Sequence, residues 1–132
     1  MPASQMSFQL CPNFRATWNV KSVTTDGPPV LGQPNTWVIA GPLTTELVPG
    51  ASINHVLTLG DEQVWTQATD VGKFVRLPVS PSSSWALTYN FTFAPSANIP
   101  PFVDISSKLT MTNGDGSPVA CFQTTLQCAP SS

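Results

Sequence analysis

Between Trp85 and Phe93 the chain alternates strictly, with Trp85, Leu87, Tyr89, Phe91 and Phe93 separated by Ala86, Thr88, Asn90 and Thr92. Successive side chains of a strand point to opposite sides, so this pattern predicts a β-strand with one bulky apolar face and one small, polar face. The polar face carries Asn90-Phe91-Thr92, an N-glycosylation sequon, which needs outward exposure in a secreted protein. The apolar face has two possible uses. It can fill a solid core, or it can line a cavity for an apolar ligand.

The rest of the sequence fits sheets and resists helices. Fourteen prolines are spread along 132 residues, and each removes a backbone donor and clashes with a preceding helical turn. Short apolar runs alternate with turn residues instead, the pattern of an antiparallel sandwich or barrel. Ala16–Lys21 reads as an early strand with Trp18 and Val20 inward, and 36–40 as a second, interrupted by Gly41-Pro42. In 51–59, Ile53, Leu57 and Leu59 share a face with His55, and Gly60-Asp61-Glu62 closes the strand. The stretch 64–77 predicts two short strands around Asp70-Val71-Gly72. Segments 103–112 and 119–127 flank Asn113-Gly114-Asp115-Gly116, a hairpin signal. The expectation is all-β: an immunoglobulin-like two-sheet antiparallel β-sandwich of seven or eight strands. One domain spans residues 1–132, with 1–6 and 129–132 as loose tails.

Composition removes several functions. Charged residues are 9% of the chain, against roughly 25% in an ordinary soluble domain. Arg15, Lys21, Lys73, Arg76 and Lys108 form no basic cluster, so nothing is available to neutralise a nucleic-acid backbone. The uncharged run from Leu77 to Val103 is interrupted by Pro78, Pro81, Pro95, Pro100 and Pro101 and does not read as a membrane span. The start, Met1-Pro2-Ala3-Ser4-Gln5, has no leader pattern. With the sequon and the abundance of Ser and Thr, it reads as the mature form of a secreted or lumenal protein. Cys11, Cys121 and Cys128 allow one bridge and one spare thiol, with Cys11 tied to either of the other two.

Catalytic groups are sparse. His55 is the sole histidine and belongs to no nucleophile or zinc motif. Its plain reading is a strand residue that is partly exposed or hydrogen-bonded. Asp61-Glu62 are neighbours in a Gly-flanked turn, whereas carboxylates that cleave a glycoside face each other across a cleft. Three cysteines and one histidine do not make a familiar zinc site. No enzyme, metal or cofactor is expected.

The order of landmarks resembles the lipid-recognition (ML) domain family, which includes Niemann-Pick-type sterol carriers and fungal phosphatidylglycerol/phosphatidylinositol transfer proteins. Phe8-Gln9-Leu10-Cys11 looks like that family's first-strand cysteine, and Pro28 through Gly32-Gln33 like its Pro-rich approach to the second strand. Ala40-Gly41-Pro42-Leu43 and Val48 to Ile53 look like the fungal members, and Leu109 to Phe122 like the closing hairpin with its cysteine. Members usually carry three disulfides; here only Cys11 and Cys121 match, and 26–31 and 61–84 lack cysteine.

The resemblance implies two sheets that splay to admit a sterol or phospholipid, a Cys11–Cys121 bridge, and a monomer that touches membranes or a lipid receptor transiently. The lipid-facing set it implies is Trp37, Ile39, Ile53, Leu57, Leu59, Leu87, Tyr89, Phe91, Phe93, Ile105, Leu109 and Met111. Trp65, Phe74, Pro101 and Phe102 form the rim. The rival is a solid-core immunoglobulin-like interaction or immunomodulatory module without a lipid.

Overall fold

A computed structural model describes residues 4–97 and 99–130. Among the described residues nine strands form two antiparallel sheets: β1 (Ser4–Gln5), β2 (Gln9–Leu10), β3 (Ser22–Thr25), β4 (Pro34–Leu43), β5 (Ser52–Leu59), β6 (Glu62–Asp70), β7 (Ser82–Thr92), β8 (Ile105–Thr112) and β9 (Pro118–Leu126). One sheet runs β1-β3-β4-β7 and the other β2-β9-β8-β5-β6. The two-sheet antiparallel sandwich expected from the alternation is therefore present.

The strand count exceeds the expected seven or eight because of β1 and β2, pairs too short to carry a periodic signal. Ser4–Gln5 pairs with Thr24–Thr25, and the Met6 amide donates to the Val23 carbonyl, so 4–6 are not a loose tail. At the other end Ala129 donates to the Pro29 carbonyl. The remaining tail positions, 1–3 and 131–132, lie outside the described residues.

Three further expectations are corrected. Residues 16–21 are not a strand: Trp18 makes a lone bridge to Leu43, and pairing with β4 begins at Ser22. Trp18 and Val20 are nonetheless buried, because Trp18 Nε1 donates to the Gly41 carbonyl and its ring packs 4.6 Å from that of Trp85. Gly41-Pro42 does not end β4 but forms an irregularity within it, after which Leu43 pairs with Ser82. A methyl group on Gly41 would overlap the Asn19 carbonyl oxygen, so glycine is what lets residues 19–20 cross β4 closely. Finally, 62–70 is one strand, and a short 3₁₀ turn at Val71–Lys73 replaces the second.

The sides of β7 follow the sequence. Leu87, Tyr89, Phe91 and Phe93 are buried while Ala86, Thr88, Asn90 and Thr92 are exposed. Its register against β4 sets Asn35 opposite Phe91, Trp37 opposite Tyr89 and Ile39 opposite Leu87, giving one continuous inner face. The facing sheet contributes Ile53, His55 and Leu57 from β5, Ile105, Ser107, Leu109 and Met111 from β8, and Ala120, Phe122, Thr124 and Leu126 from β9.

Asn113 locks one end of the sandwich. Its Oδ1 accepts from the Val48 and Gly114 amides, and its Nδ2 donates to the Glu46 carbonyl. Cys11 and Cys121 form the disulfide, beside the β2–β9 pairing of Leu10 with Phe122. Cys128 is a free thiol, 1% exposed, and burial raises its pKa. Thiolate is the reactive form. The native protein is expected to react with a thiol reagent much more slowly than a free cysteine does, and to release one equivalent rapidly on unfolding; prompt native labelling would contradict this placement. Gly41→Ala should cost about 2 kcal/mol or more by overpacking. Gly72→Ala, where a methyl meets only Leu77 at 3.8 Å, should change the unfolding midpoint little.

Candidate functional site

β6 and β7 are the outer strands of their respective sheets, on the side of the sandwich opposite the disulfide-bearing β2–β9 pair. Between them opens a cleft of about 310 Å³. One wall is Gln67, Ala68 and Thr69 of β6, the other is Asn90, Phe91 and Thr92 of β7, and Lys73 and Phe74 of the turn after β6 close one end. Register explains the first wall. Trp65, Gln67 and Thr69 pair with Leu57, His55 and Ile53, whose side chains point between the sheets, so the inner face of β6 bears one aromatic and two polar residues.

Behind this seam lies a cluster of rings. The Phe74 centroid is 5.4 Å from Tyr89, Trp65 is 4.8 Å from Phe93, and Tyr89 stacks on Phe91 at 5.1 Å. Trp37 reaches Phe91 at 4.9 Å within its own sheet and Phe122 at 6.4 Å across the gap. Such separations are those of rings in contact. The interior next to the cleft is filled by its own aromatic side chains.

His55 sits at the centre of this cluster, fully buried, between Trp37, Trp65, Phe91 and Phe93. Of the two plain readings of the sequence, hydrogen-bonded rather than partly exposed is correct. Nδ1 lies 2.9 Å from the Tyr89 hydroxyl and Nε2 lies 2.6 Å from Ser107 Oγ. Ser107 is a diagonal neighbour within the same sheet, since His55 pairs with Leu109. Tyr89 belongs to the other sheet, so the Tyr89–His55 hydrogen bond spans the sandwich.

Desolvation lowers the His55 pKa to about 3 and raises that of Tyr89, so both are neutral near pH 7. Sequence reasoning placed His55 on the right face but did not identify its partners. Ser107 was missed, and its signal was a small polar residue in register with Ile105, Leu109 and Met111.

The other expected positions divide clearly. Trp37, Ile39, Ile53, Leu57, Leu87, Tyr89, Phe91, Phe93, Ile105, Leu109 and Met111 are all buried between the sheets. Leu59, Trp65 and Phe74 are half-buried, and the last two border the seam. Phe102 stands apart: it is 68% exposed with a left-handed backbone (φ 65°), and Val103 beside it is 38% exposed. Pro101 lines a separate depression of about 210 Å³ with Leu31 and Ile99. Asn90 is exposed on β7, its Oδ1 accepting from the Thr36 hydroxyl. Another depression, of about 290 Å³, borders Gln9, Gln123 and Thr125 at the opposite edge. Among the described residues no group of three or more His, Cys, Asp or Glu is placed to hold a metal ion.

This geometry defines a two-sheet β-sandwich with an aromatic interior and a seam between two outer strands. The fold is similar to that of chicken MD-1, solved in complex with lipid IVa, at a TM-score of 0.61 and 14% identity, covering 96% of this chain and 97% of that one. No family model matches the sequence. No curated protein matches it either.

The buried histidine gives stability a pH dependence of defined sign. Above pH 6.5 His55 is neutral whether the chain is folded or unfolded, and it contributes no slope. Below 6.5 the unfolded chain takes up a proton that the folded chain refuses until about pH 3. Stability should therefore fall by about 1.4 kcal/mol per pH unit between these values, up to about 5 kcal/mol in all. Denaturant titrations from pH 7 to pH 3 on the protein and on His55→Leu test this. The difference between the two should grow as pH falls, and parallel curves would show that the imidazole is not held neutral.

Proposed function

We propose that this protein binds a lipid between its two sheets, admitting it through the seam between β6 and β7. The observation that carries the reading is this seam, where strands of opposite sheets share no ladder hydrogen bonds and aromatic side chains lie directly behind them. Parting β6 from β7 breaks side-chain contacts alone. The cost is recovered by taking acyl or ring carbons out of water, at roughly 0.8 kcal/mol for each buried CH₂. A pocket with an apolar lining and few convergent polar groups is a common design for small-molecule sites. The likeness of fold to MD-1, whose structure holds lipid IVa, supports the same reading.

The finer assignment is a carrier that holds one sterol or phospholipid and passes it to a membrane or a lipid receptor. Trp37, Ile39, Ile53, Leu57, Leu59, Leu87, Tyr89, Phe91, Phe93, Ile105, Leu109 and Met111 form the binding walls, with Trp65 and Phe74 at the entrance. Phe102, exposed near the start of β8, is the residue for transient membrane or receptor contact. The protein acts as a monomer in a secreted or lumenal setting, vacuolar or lysosomal in type. Its Cys11–Cys121 bridge is consistent with an oxidising compartment. Asn90 carries the glycan, on the outward face of β7 beside the cleft. No step of this function requires catalysis.

A second reading has its own support. The rings between the sheets already touch one another, as they do in a solid-core module whose function lies on its surface. Lipid titration separates the two. Binding of a sterol or phospholipid should shift the emission of Trp37 and Trp65, and Phe74→Ala should alter the apparent affinity several-fold. Unchanged emission at saturating lipid, with no lipid in solvent extracts of the purified protein, would favour the solid core. In a glycosylating host, Asn90→Gln should remove one endoglycosidase-sensitive mass increment; an unchanged mass would exclude a glycan there.

A further inference from the structure

The Tyr89–His55–Ser107 chain contains more donors than its hydrogen bonds use. A neutral imidazole has one N–H and one lone-pair nitrogen, and each hydroxyl has one O–H. The three side chains thus hold three donors, while only two contacts join them, at 2.9 and 2.6 Å. If Nε2 carries the proton it donates to Ser107, Tyr89 donates to Nδ1, and the Ser107 O–H is left over. If Nδ1 carries the proton it donates to Tyr89, Ser107 donates to Nε2, and the Tyr89 O–H is left over. Neither hydroxyl makes another hydrogen bond among the described residues, and all three side chains are at most 1% exposed. An unpaired donor in such surroundings is costly.

From this geometry we infer that the chain is an internal polar anchor for an uncharged lipid oxygen, a sterol-type hydroxyl or an acyl-ester carbonyl, which accepts the left-over donor. The inference rests on the proposed binding between the sheets and adds which end of the lipid goes in deep. Two observations set the chemistry. Tyr89 belongs to one sheet and His55 and Ser107 to the other, so an oxygen entering as the sheets part meets donors from both walls. The surroundings among the described residues are Trp37, Trp65, Phe91 and Phe93, none of them a cation that could balance a phosphate, and the imidazole itself is neutral. Lys73 lies outside, at the cleft, where an anionic group stays in water. Phe74, packed against Tyr89 and bordering the cleft, stands between the two environments.

The test compares lipids that differ by one oxygen, using Trp emission and native mass spectrometry on the full chain. Cholesterol is paired with cholestane, which lacks the hydroxyl, and a diacylglycerol with its dialkyl ether analogue, which lacks the ester carbonyls. The oxygenated member of at least one pair should bind about tenfold more tightly, and the pair showing it identifies the source of the oxygen. In the all-apolar variant His55→Leu/Tyr89→Phe/Ser107→Ala the ratio within that pair should fall towards one. Equal affinities within both pairs would overturn the anchor and leave lipid binding standing. Failure of all four lipids to bind would overturn both. A preference that persists in a folded triple variant would place the oxygen elsewhere and also overturn the anchor. If the variant does not fold, the two ratios measured on the unaltered protein still decide.

Discussion

Trp37 is the point on which the two sheets depend. It is 1% exposed on β4, and its indole ring lies 4.9 Å from Phe91 in its own sheet, 5.3 Å from His55 and 6.4 Å from Phe122 in the other. Two faces of alternating side chains stay together only if they interdigitate at close-packed density. Aromatic residues reach farthest across that gap, and this interior sets Trp37, Trp65, Phe91 and Phe93 around an imidazole at the centre. Hydrogen-bond ladders hold each sheet, while ring contacts, the Tyr89–His55 bond and the Trp18 segment, which bridges to Leu43 of β4 and donates to the Val119 carbonyl of β9, hold sheet to sheet.

That division of labour explains where the two sheets are least tied together. On one side the short segment joining β1 to β2 passes from one sheet to the other, its Ser7 carbonyl accepting from Thr124 of β9, while the Cys11–Cys121 bridge fixes β2 to β9 within the second sheet. On the other side β6 and β7 face each other as outer strands, and the inner face of β6 changes from Trp65 to Gln67 and Thr69. A polar inner face on an outer strand does not seal against an apolar neighbour, and the cleft forms there. Lys73 and Phe74 then set a charge and a ring at its end.

Much of this was legible in the sequence, for identifiable reasons. The period of two in β7 fixed its inside and outside, because nine alternating residues admit no other amphipathic arrangement. The hairpin at 113–116 was equally plain, although the further task of Asn113, tying that hairpin to residues 46–48, was not. Such a bond joins positions more than sixty residues apart and leaves no local pattern. Trp18 illustrates the opposite case. Its burial was readable from its type, but its backbone crosses β4 instead of pairing along it, because Gly41 allows close approach. Of the positions expected to face a lipid, the burial of those on β4, β5, β7 and β8 was recognisable from alternation. The His55–Tyr89–Ser107 chain was not, since it combines residues of three strands in two sheets.

Lipid binding as proposed requires the aromatic interior behind the β6–β7 seam to open. It is tested most directly by photo-cross-linking with a lipid whose acyl chain carries a diazirine, followed by peptide mapping of the labelled protein. Labels should concentrate on Trp65, Phe74, Tyr89 and Phe91, and an excess of unlabelled lipid should suppress them. Labels confined to the outward positions Thr88, Asn90 and Thr92 or to the exposed Phe102, or labelling that competitor lipid does not reduce, would contradict the claim.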